Sequence, residues 1–411
     1  MPHLVVVCQV FHPDSQSTSQ LLSDLFRVFV KRAGAVSVYC GFSSTGGPPL
    51  SRSEVWEGVQ IFRGGWRTGS KESLWQRSLA YASYTCFVMR ALFGVGRESE
   101  VLVVTNPPFI PVVTGIICRM RRLPFTVMLH DVFPEGLVAL GQVRGEGLID
   151  RVWSWANRRT YRAAREVWTL GRDMNDLVVL KYGVPRSKIR YVPHWSAIEV
   201  SEPLPLAESR LLVEHGLDGK FIVQYSGNMG LWHDIDTIVR AAALLREASG
   251  VHFLMIGDGK RRLQAERLAR ESGLTNITWL GFRDKEELVD SLACSHVALI
   301  SQRAGLEGVA VPCKLYGILA SGRAVVAQVP VRSETALVVG EEQCGIIVRP
   351  DDPQGLASAI ASLERDPDGV AEMGRRAFAA YRAKYTLKRA VDTFDRALRD
   401  SGTATGPSGR L

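Results

Sequence analysis

The chain has no C-x-x-C pair and no cluster of cysteines. Its seven (Cys8, Cys40, Cys86, Cys118, Cys294, Cys313 and Cys344) are odd in number and widely spaced. That spacing excludes a disulfide framework and a cysteine-based zinc site, and predicts reduced thiols that mostly pack as small apolar groups in a cytosolic protein. Long apolar runs are also scarce. The longest, Val101 to Cys118, is broken by Asn106-Pro-Pro108 and Pro111, and such breakers would leave backbone groups unpaired in lipid. A spanning helix is not expected. No basic stretch or cleavage site precedes Leu4-Val-Val-Val-Cys8, so no signal peptide is expected either. Internal repeats and low-complexity blocks are missing as well, apart from the polar tail Ser401 to Gly409, expected to be disordered.

What is present is a globular composition: 411 residues, 46% hydrophobic and 22% charged, enough for two domains. The formal charge of +8 is uneven. Residues 1–200 hold 24 Lys/Arg against 15 Asp/Glu, leaving 26 against 27 for the rest. The N-terminal half is therefore the basic one. Arg158, Arg159, Arg162 and Arg165 fall at helical spacing, and Arg119-Met-Arg-Arg122 follows an apolar stretch. No aromatic ladder interleaves them, so nucleic acid is not the expected partner. An anionic membrane surface or a phosphate-bearing acceptor fits better, beside the plainer reading of solvated arginines.

Short, nearly all-apolar runs alternate with segments of three- and four-residue periodicity, the pattern of doubly wound α/β domains. In the first half the runs are Leu4–Val10, Val36–Cys40, Val59–Phe62, Val101–Thr105, Thr126–Leu129, Glu166–Leu170 and Ile189–Val192. In the second half they are Phe221–Tyr225, Val251–Ile256, Ile277–Leu280, Val297–Ile300, Ala324–Ala327 and Gly345–Val348. Periodicity lapses around Glu202-Pro-Leu-Pro205. The expected division is therefore a domain over 1–197, a linker over 198–208, a second domain over 209–385, a helix over 386–400 packing back on the first domain, and a tail over 401–411. Two such sheets in tandem would face a central cleft at their carboxyl ends, where ligands of open α/β sheets bind.

Four segments of the second half carry candidate chemistry. Tyr225-Ser-Gly-Asn-Met-Gly230 follows a strand and leads into a helix start, so Gly227, Asn228 and Gly230 are candidates to approach a phosphate. Asp234-Ile-Asp236 resembles a metal motif, but its place in a first helical turn predicts capping instead. Gly257-Asp-Gly259-Lys260 ends another strand, and Gly281-Phe282-Arg283 a third. Gly305 to Gly322 is a loop bearing Glu307 that runs into a helix; a carboxylate there could hold sugar hydroxyls and nearby amides a diphosphate.

The order of Gly227-Asn-Met-Gly230, Gly257-Asp-Gly259, Gly281-Phe-Arg283 and Glu307 to Gly322 resembles the C-terminal domain of retaining GT-B glycosyltransferases of family 4. Val10-Phe-His-Pro-Asp14 to Gln20-Leu-Leu-Ser-Asp24, His130-Asp-Val-Phe-Pro-Glu135 and Val192-Pro-His-Trp195 are similar to the WbuB-like branch, which builds bacterial surface polysaccharides. The resemblance runs over roughly residues 4–400. It implies that Glu307 grips the donor sugar, that Gly308, Val309, Ala310 and Val311 offer amides to the diphosphate, and that Gly257, Gly259 and Gly281–Arg283 line the nucleotide. It also implies that His130 faces the donor sugar. Asp131 and Glu135 are candidates to orient or deprotonate the acceptor, with backbone satisfaction as the alternative. Ser15, Ser17, Thr18 and Ser19 would approach the diphosphate or acceptor, unless Ser17 or Thr18 caps the first helix.

Two departures from the family pattern stand out. Gly317 occupies the position of the second acidic residue, which binds ribose, and Leu231 and His233 stand near the places of the phosphate-binding Arg and Lys. Lys314, Lys260 and Arg261 are the available cations, with Lys314 preferred. The mechanism implied is electrostatic stabilisation of a leaving nucleotide diphosphate, without a metal or other cofactor. The expected function is transfer of a hexose or N-acetylhexosamine from a UDP-sugar to a lipid-linked saccharide, in the cytoplasm or at the inner membrane face. A nucleotide-sugar epimerase and a nucleotide-sugar binding subunit without turnover are the alternatives.

Overall fold

Every residue of β1 (Leu4–Val7) is apolar and buried, and such a strand is stable only when both faces of its sheet are covered. The computed structural model describes residues 3–42, 50–67, 74–248 and 250–403. They divide into two units, the first made of residues 1–193, 308–310 and 387–411, the second of 194–307 and 311–386. The expected linker over 198–208 lies within the second unit. Of the polar tail, 401–403 end the last helix, and 404–411 lie outside the described residues.

In the first unit β1 is central. With β2 (Val36–Cys40), β3 (Ser53–Trp56), β4 (Val59–Arg63), β5 (Glu100–Val104), β6 (Phe125–Leu129), β7 (Val167–Thr169) and β8 (Ile189–Tyr191) it forms a sheet ordered β3-β4-β2-β1-β5-β6-β7-β8. All neighbours are parallel except β3, which pairs antiparallel with β4. The series read from sequence omits β3. It is a half-exposed edge strand of mixed composition, joined to β4 by Glu57 and Gly58 with φ of 50° and 90°, the double positive φ of a tight hairpin turn.

The final helix, Leu387–Thr403, belongs to this unit. Phe394 meets Phe29, Trp168 and Phe26 with ring centroids 5.0, 5.1 and 5.5 Å apart. Ion pairs from Arg32 to Asp392 and from Arg190 to Asp400 flank that aromatic cluster.

The second unit has a six-stranded, wholly parallel sheet of β9 (Phe221–Ser226), β10 (Val251–Ile256), β11 (Ile277–Leu280), β12 (Val297–Ser301), β13 (Ala324–Gln328) and β14 (Gly345–Val348). Its order is β11-β10-β9-β12-β13-β14. Chain direction across the sheet reverses between β9 and β12, so the loops after these two strands diverge and leave a crevice at their carboxyl ends. Asp352-Pro353 and Asp366-Pro367 start the next helices, each aspartate accepting a hydrogen bond from the amide three residues on.

Candidate active site

Gly227, Gly257 and Gly259 have φ of 122°, 125° and 147°, values that only glycine adopts without strain. Close packing is a second reason for glycine. A Cβ on Gly257 would lie 2.1 Å from the Gly227 carbonyl oxygen, and one on Gly259 would lie 2.5 Å from that of Met229. The loops after β9 and β10 thus interlock backbone to backbone. Met229 N–H donates to Asp258 O at 2.7 Å and Arg261 N–H to Met229 O at 3.0 Å. Arg262 reaches the Gly257 and Leu280 carbonyls at 2.5 and 2.9 Å, joining the ends of β10 and β11. Gly257 and Gly259 therefore have a structural reason that needs no ligand. Beside them Asn228, Lys260, Gly281 and Phe282 are exposed, while Gly230 and Arg283 are half-buried.

Gly227 is required by a side chain far along the chain. Its absent Cβ would lie 2.9 Å from Cε of Lys314. Lys314 opens the helix Lys314–Ala320, which follows the β12 loop. Its ammonium donates to the Tyr225 hydroxyl and to Asn228 O at 3.0 Å, and sits 3.9 Å from the Tyr225 ring centroid. Tyr225 in turn donates to Asn228 O at 2.8 Å. Every partner of the lysine is neutral, so burial dominates and brings its pKa down to about 7. His233 lies alongside, its pKa lowered by burial and by the nearby Lys314 charge, and neither ring nitrogen has a hydrogen-bond partner among the described residues. The arrangement is a partly uncharged amine at the switch point of the sheet.

Asp234 was expected to cap the helix Ile235–Leu244. It occupies the N-cap position, but its side chain makes no cap bond. Its Oδ2 instead accepts from Gln328 Nε2 at 2.6 Å and Asp351 N at 3.0 Å, so this buried carboxylate ties the end of β13 and the loop after β14 to the helix start. Asp236 accepts from Gln264 at 3.0 Å. At Gly317 a side chain would begin 3.3 Å from Leu292 Cδ1, so the position expected to bear the ribose-binding acid is confined.

In the β12 loop, Leu306 is fully buried and its carbonyl accepts from Gln302 Nε2 at 3.2 Å. Glu307 is exposed and makes no hydrogen bond or ion pair among the described residues. Gly308 to Val311 were expected to offer amides to a diphosphate. Gly308 N–H is already given to Asp173 Oδ2 at 2.8 Å, and Val309 O accepts from Val132 N at 2.8 Å. Ala310 forms a single antiparallel bridge with Asp131. Gly308–Ala310 thus form a turn ending in a single bridge within the first unit; Val309 and Val311 are buried.

At the carboxyl end of β6, the amides of His130 and Asp131 both donate to Thr105 Oγ1, at 3.0 and 3.2 Å. Burial keeps His130 neutral, with its pKa down to about 4, and pushes the Asp131 carboxyl up to about 7. Glu135 is committed elsewhere: its Oε1 accepts from Tyr182 Oη at 2.5 Å and from Lys181 Nζ at 2.7 Å. Asp131, its carboxyl raised in this way, is able to exchange a proton near neutrality.

In the Ser15–Ser19 stretch, Ser15 and Ser17 are exposed, Thr18 is half-buried and Ser19 fully buried. Capping by Ser17 or Thr18 is not found: Gln16 is the N-cap residue without a side-chain cap bond, and Asp14 Oδ1 receives the Gln16 amide at 2.9 Å. Thr105, Asp173 and the pairing of Tyr225 with Lys314 were not anticipated, because they depend on contacts between distant segments.

Residues 20–195 match the glycosyl transferase 4-like domain, and residues 220–366 match glycosyl transferases group 1. The chain is 24% identical over 364 residues to the probable glycosyltransferase WbjE of Pseudomonas aeruginosa, covering 88% of this chain and 90% of the relative. It is 26% identical over 252 residues to the putative colanic acid biosynthesis glycosyl transferase WcaI of Escherichia coli, covering 60% and 61%. Its fold is similar to that of HepE from Anabaena, solved in complex with UDP-glucose, with a TM-score of 0.71 at 16% identity over 97% of this chain and all of that one. Two parallel-sheet units, each matched by a glycosyltransferase domain model, make this chain a glycosyltransferase of the GT-B fold.

Proposed function

We propose that the enzyme transfers a hexose or N-acetylhexosamine, with retention of anomeric configuration, from a UDP-sugar to a lipid-linked saccharide in surface polysaccharide assembly. The observation that carries the donor half is Lys314: an amine with no anionic partner among the described residues, held between Tyr225 and Asn228 at the β9–β12 switch point. When the bond from the anomeric carbon to the β-phosphate oxygen breaks, negative charge grows on the diphosphate. A half-buried cation there stabilises the transition state more than the ground state. Lys314 takes this role in place of a metal, and the free carboxylate of Glu307 is assigned to the sugar hydroxyls. Asp131 is assigned to the acceptor hydroxyl's proton.

UDP-glucose in the HepE structure supports the choice of nucleotide, and the colanic acid biosynthesis named for WcaI supports the polysaccharide context. The basic charge of residues 1–200, which suits a membrane face, supports a lipid anchor on the acceptor. Thermal-shift measurements with UDP, GDP and ADP test the nucleotide, since a ligand bound only by the native state raises stability. Stabilisation by UDP alone is expected, together with transfer that persists in EDTA. Stabilisation by GDP or ADP but not UDP would overturn the donor assignment.

A further inference from the structure

The helix Leu148–Ala163 of the first unit turns several polar side chains inward and several apolar ones outward. Its buried residues are Asp150, Asn157, Thr160 and Tyr161. Leu148, Ile149, Val152 and Trp155 instead are 78%, 62%, 56% and 56% exposed. Leu148, Val152, Trp155, Arg159 and Arg162 follow one another at intervals of three and four, so they form one stripe along the helix. The stripe is apolar in its first half and cationic in its second.

Its inward polar side chains are partly paired, with Asn157 Oδ1 left without a hydrogen-bond partner among the described residues. Asp150, the helix's one acid, accepts from Glu146 N at 2.8 Å and Ser154 Oγ at 3.0 Å, and pairs with Lys181 at 3.2 Å. Asn157 donates to Phe133 O at 2.6 Å. With that acid turned inward, the helix's exposed charges are Arg151, Arg158, Arg159 and Arg162. Arg159 lies 4.6 Å over the Trp155 ring, so cation and indole are presented together. An open cavity of about 480 Å³ beside Trp155 is lined by Arg151, Ser154, Arg158 and Lys181, with Glu146 and the Lys181-paired Asp150 at its wall.

We propose that this helix docks the enzyme on a bilayer of anionic phospholipid. Leu148, Ile149, Val152 and Trp155 enter the boundary between headgroups and acyl chains, while the arginines meet headgroup phosphates. This is how an interfacial helix with a basic polar face binds. Indole rings favour that boundary because one end is apolar and the other wet. The charge of the stripe selects the anionic bilayer over a protein partner. The proposal rests on the membrane-borne acceptor proposed above and names the element that reaches it.

The test is flotation of the full chain with vesicles of phosphatidylcholine, alone or containing about 30% phosphatidylglycerol. Binding to the anionic vesicles is expected to exceed that to neutral ones by at least about tenfold and to fall with salt. Leu148→Glu with Val152→Glu should lower it by about tenfold or more, whereas Val213→Glu, on an exposed apolar residue of the second unit, should leave it unchanged. Wild-type flotation in the double variant would overturn the proposal. So would a wild-type dimer that the double variant dissociates in sedimentation, because the stripe would then be a subunit interface. The UDP thermal shift of the double variant separates the two readings. Flotation lost with that shift kept means a folded donor site without its membrane anchor. Flotation intact in a wild type that UDP fails to stabilise would reject the donor reading and leave the docking helix standing.

Discussion

Binding of UDP should draw a proton from solution onto Lys314, and the size of that uptake can be worked from its surroundings. Without ligand its pKa is about 7, so at pH 8 only about a tenth of the molecules carry the charge. A diphosphate beside the amine favours the charged form and restores the pKa toward its ordinary value of about 10.4. Uptake is therefore about 0.9 proton at pH 8 and about 0.1 at pH 6. Linkage then requires affinity to fall as pH rises, by about tenfold between pH 8 and 9. The phosphate of UDP, with a second pKa near 6, has finished titrating there, and burial keeps His233 neutral throughout.

Isothermal calorimetry in buffers of different ionisation enthalpy measures the uptake directly. Lys314→Met should abolish it and flatten the pH dependence of affinity, leaving weaker binding through other contacts. Uptake below about 0.3 proton at pH 8 would refute the reasoning, as would normal uptake in Lys314→Met. Either result would mean that the lysine is already charged before the donor arrives, or never meets its phosphates.

The same lysine predicts a stability effect of opposite sense. Its folded pKa lies below the unfolded one, so its charged form destabilises the empty protein below pH 7, and the penalty fades as pH rises from 7 toward 10.5. Lys314→Met should accordingly stabilise the ligand-free enzyme by about 1–2 kcal/mol in urea unfolding at pH 6, with less gain at pH 9. Gly257→Ala places a methyl 2.1 Å from a carbonyl oxygen at a φ of 125°; a loss of about 3 kcal/mol or more is expected in the same assay. Glu307→Ala should lower turnover by about a hundredfold with little change in melting temperature, because the carboxylate is exposed and unpaired among the described residues. Asp131, with its pKa raised to about 7, should give a rate that climbs through pH 7 as it deprotonates, if it accepts the acceptor's proton; a profile in Asp131→Asn that still climbs there would assign that limb to another group.

Strands were legible where burial on both faces makes composition decisive: Val101–Thr105 and Val251–Ile256 have no other plausible place than a sheet centre. β3 was not, since Ser53-Glu-Val-Trp56 is an edge strand whose identity comes from its partner β4. The glycines at 227, 257 and 259 marked the right corner of the second unit, but a sequence does not separate a glycine needed for a ligand from one needed for a neighbouring backbone. Gly257 is of the second kind with respect to Gly227, and Gly227 answers to a lysine 87 residues away. The helix Leu148–Ala163 exposes a deeper reason for the gap. Three- and four-residue spacing establishes that a helix has two unlike faces, and the usual assumption turns the apolar one inward. Here Lys181 and the Phe133 carbonyl offer partners to Asp150 and Asn157, so the polar face is the buried one. Periodicity is the same for either choice; only the partners supplied by distant parts of the chain fix which face meets solvent, and with it where a second surface of the enzyme is free to bind.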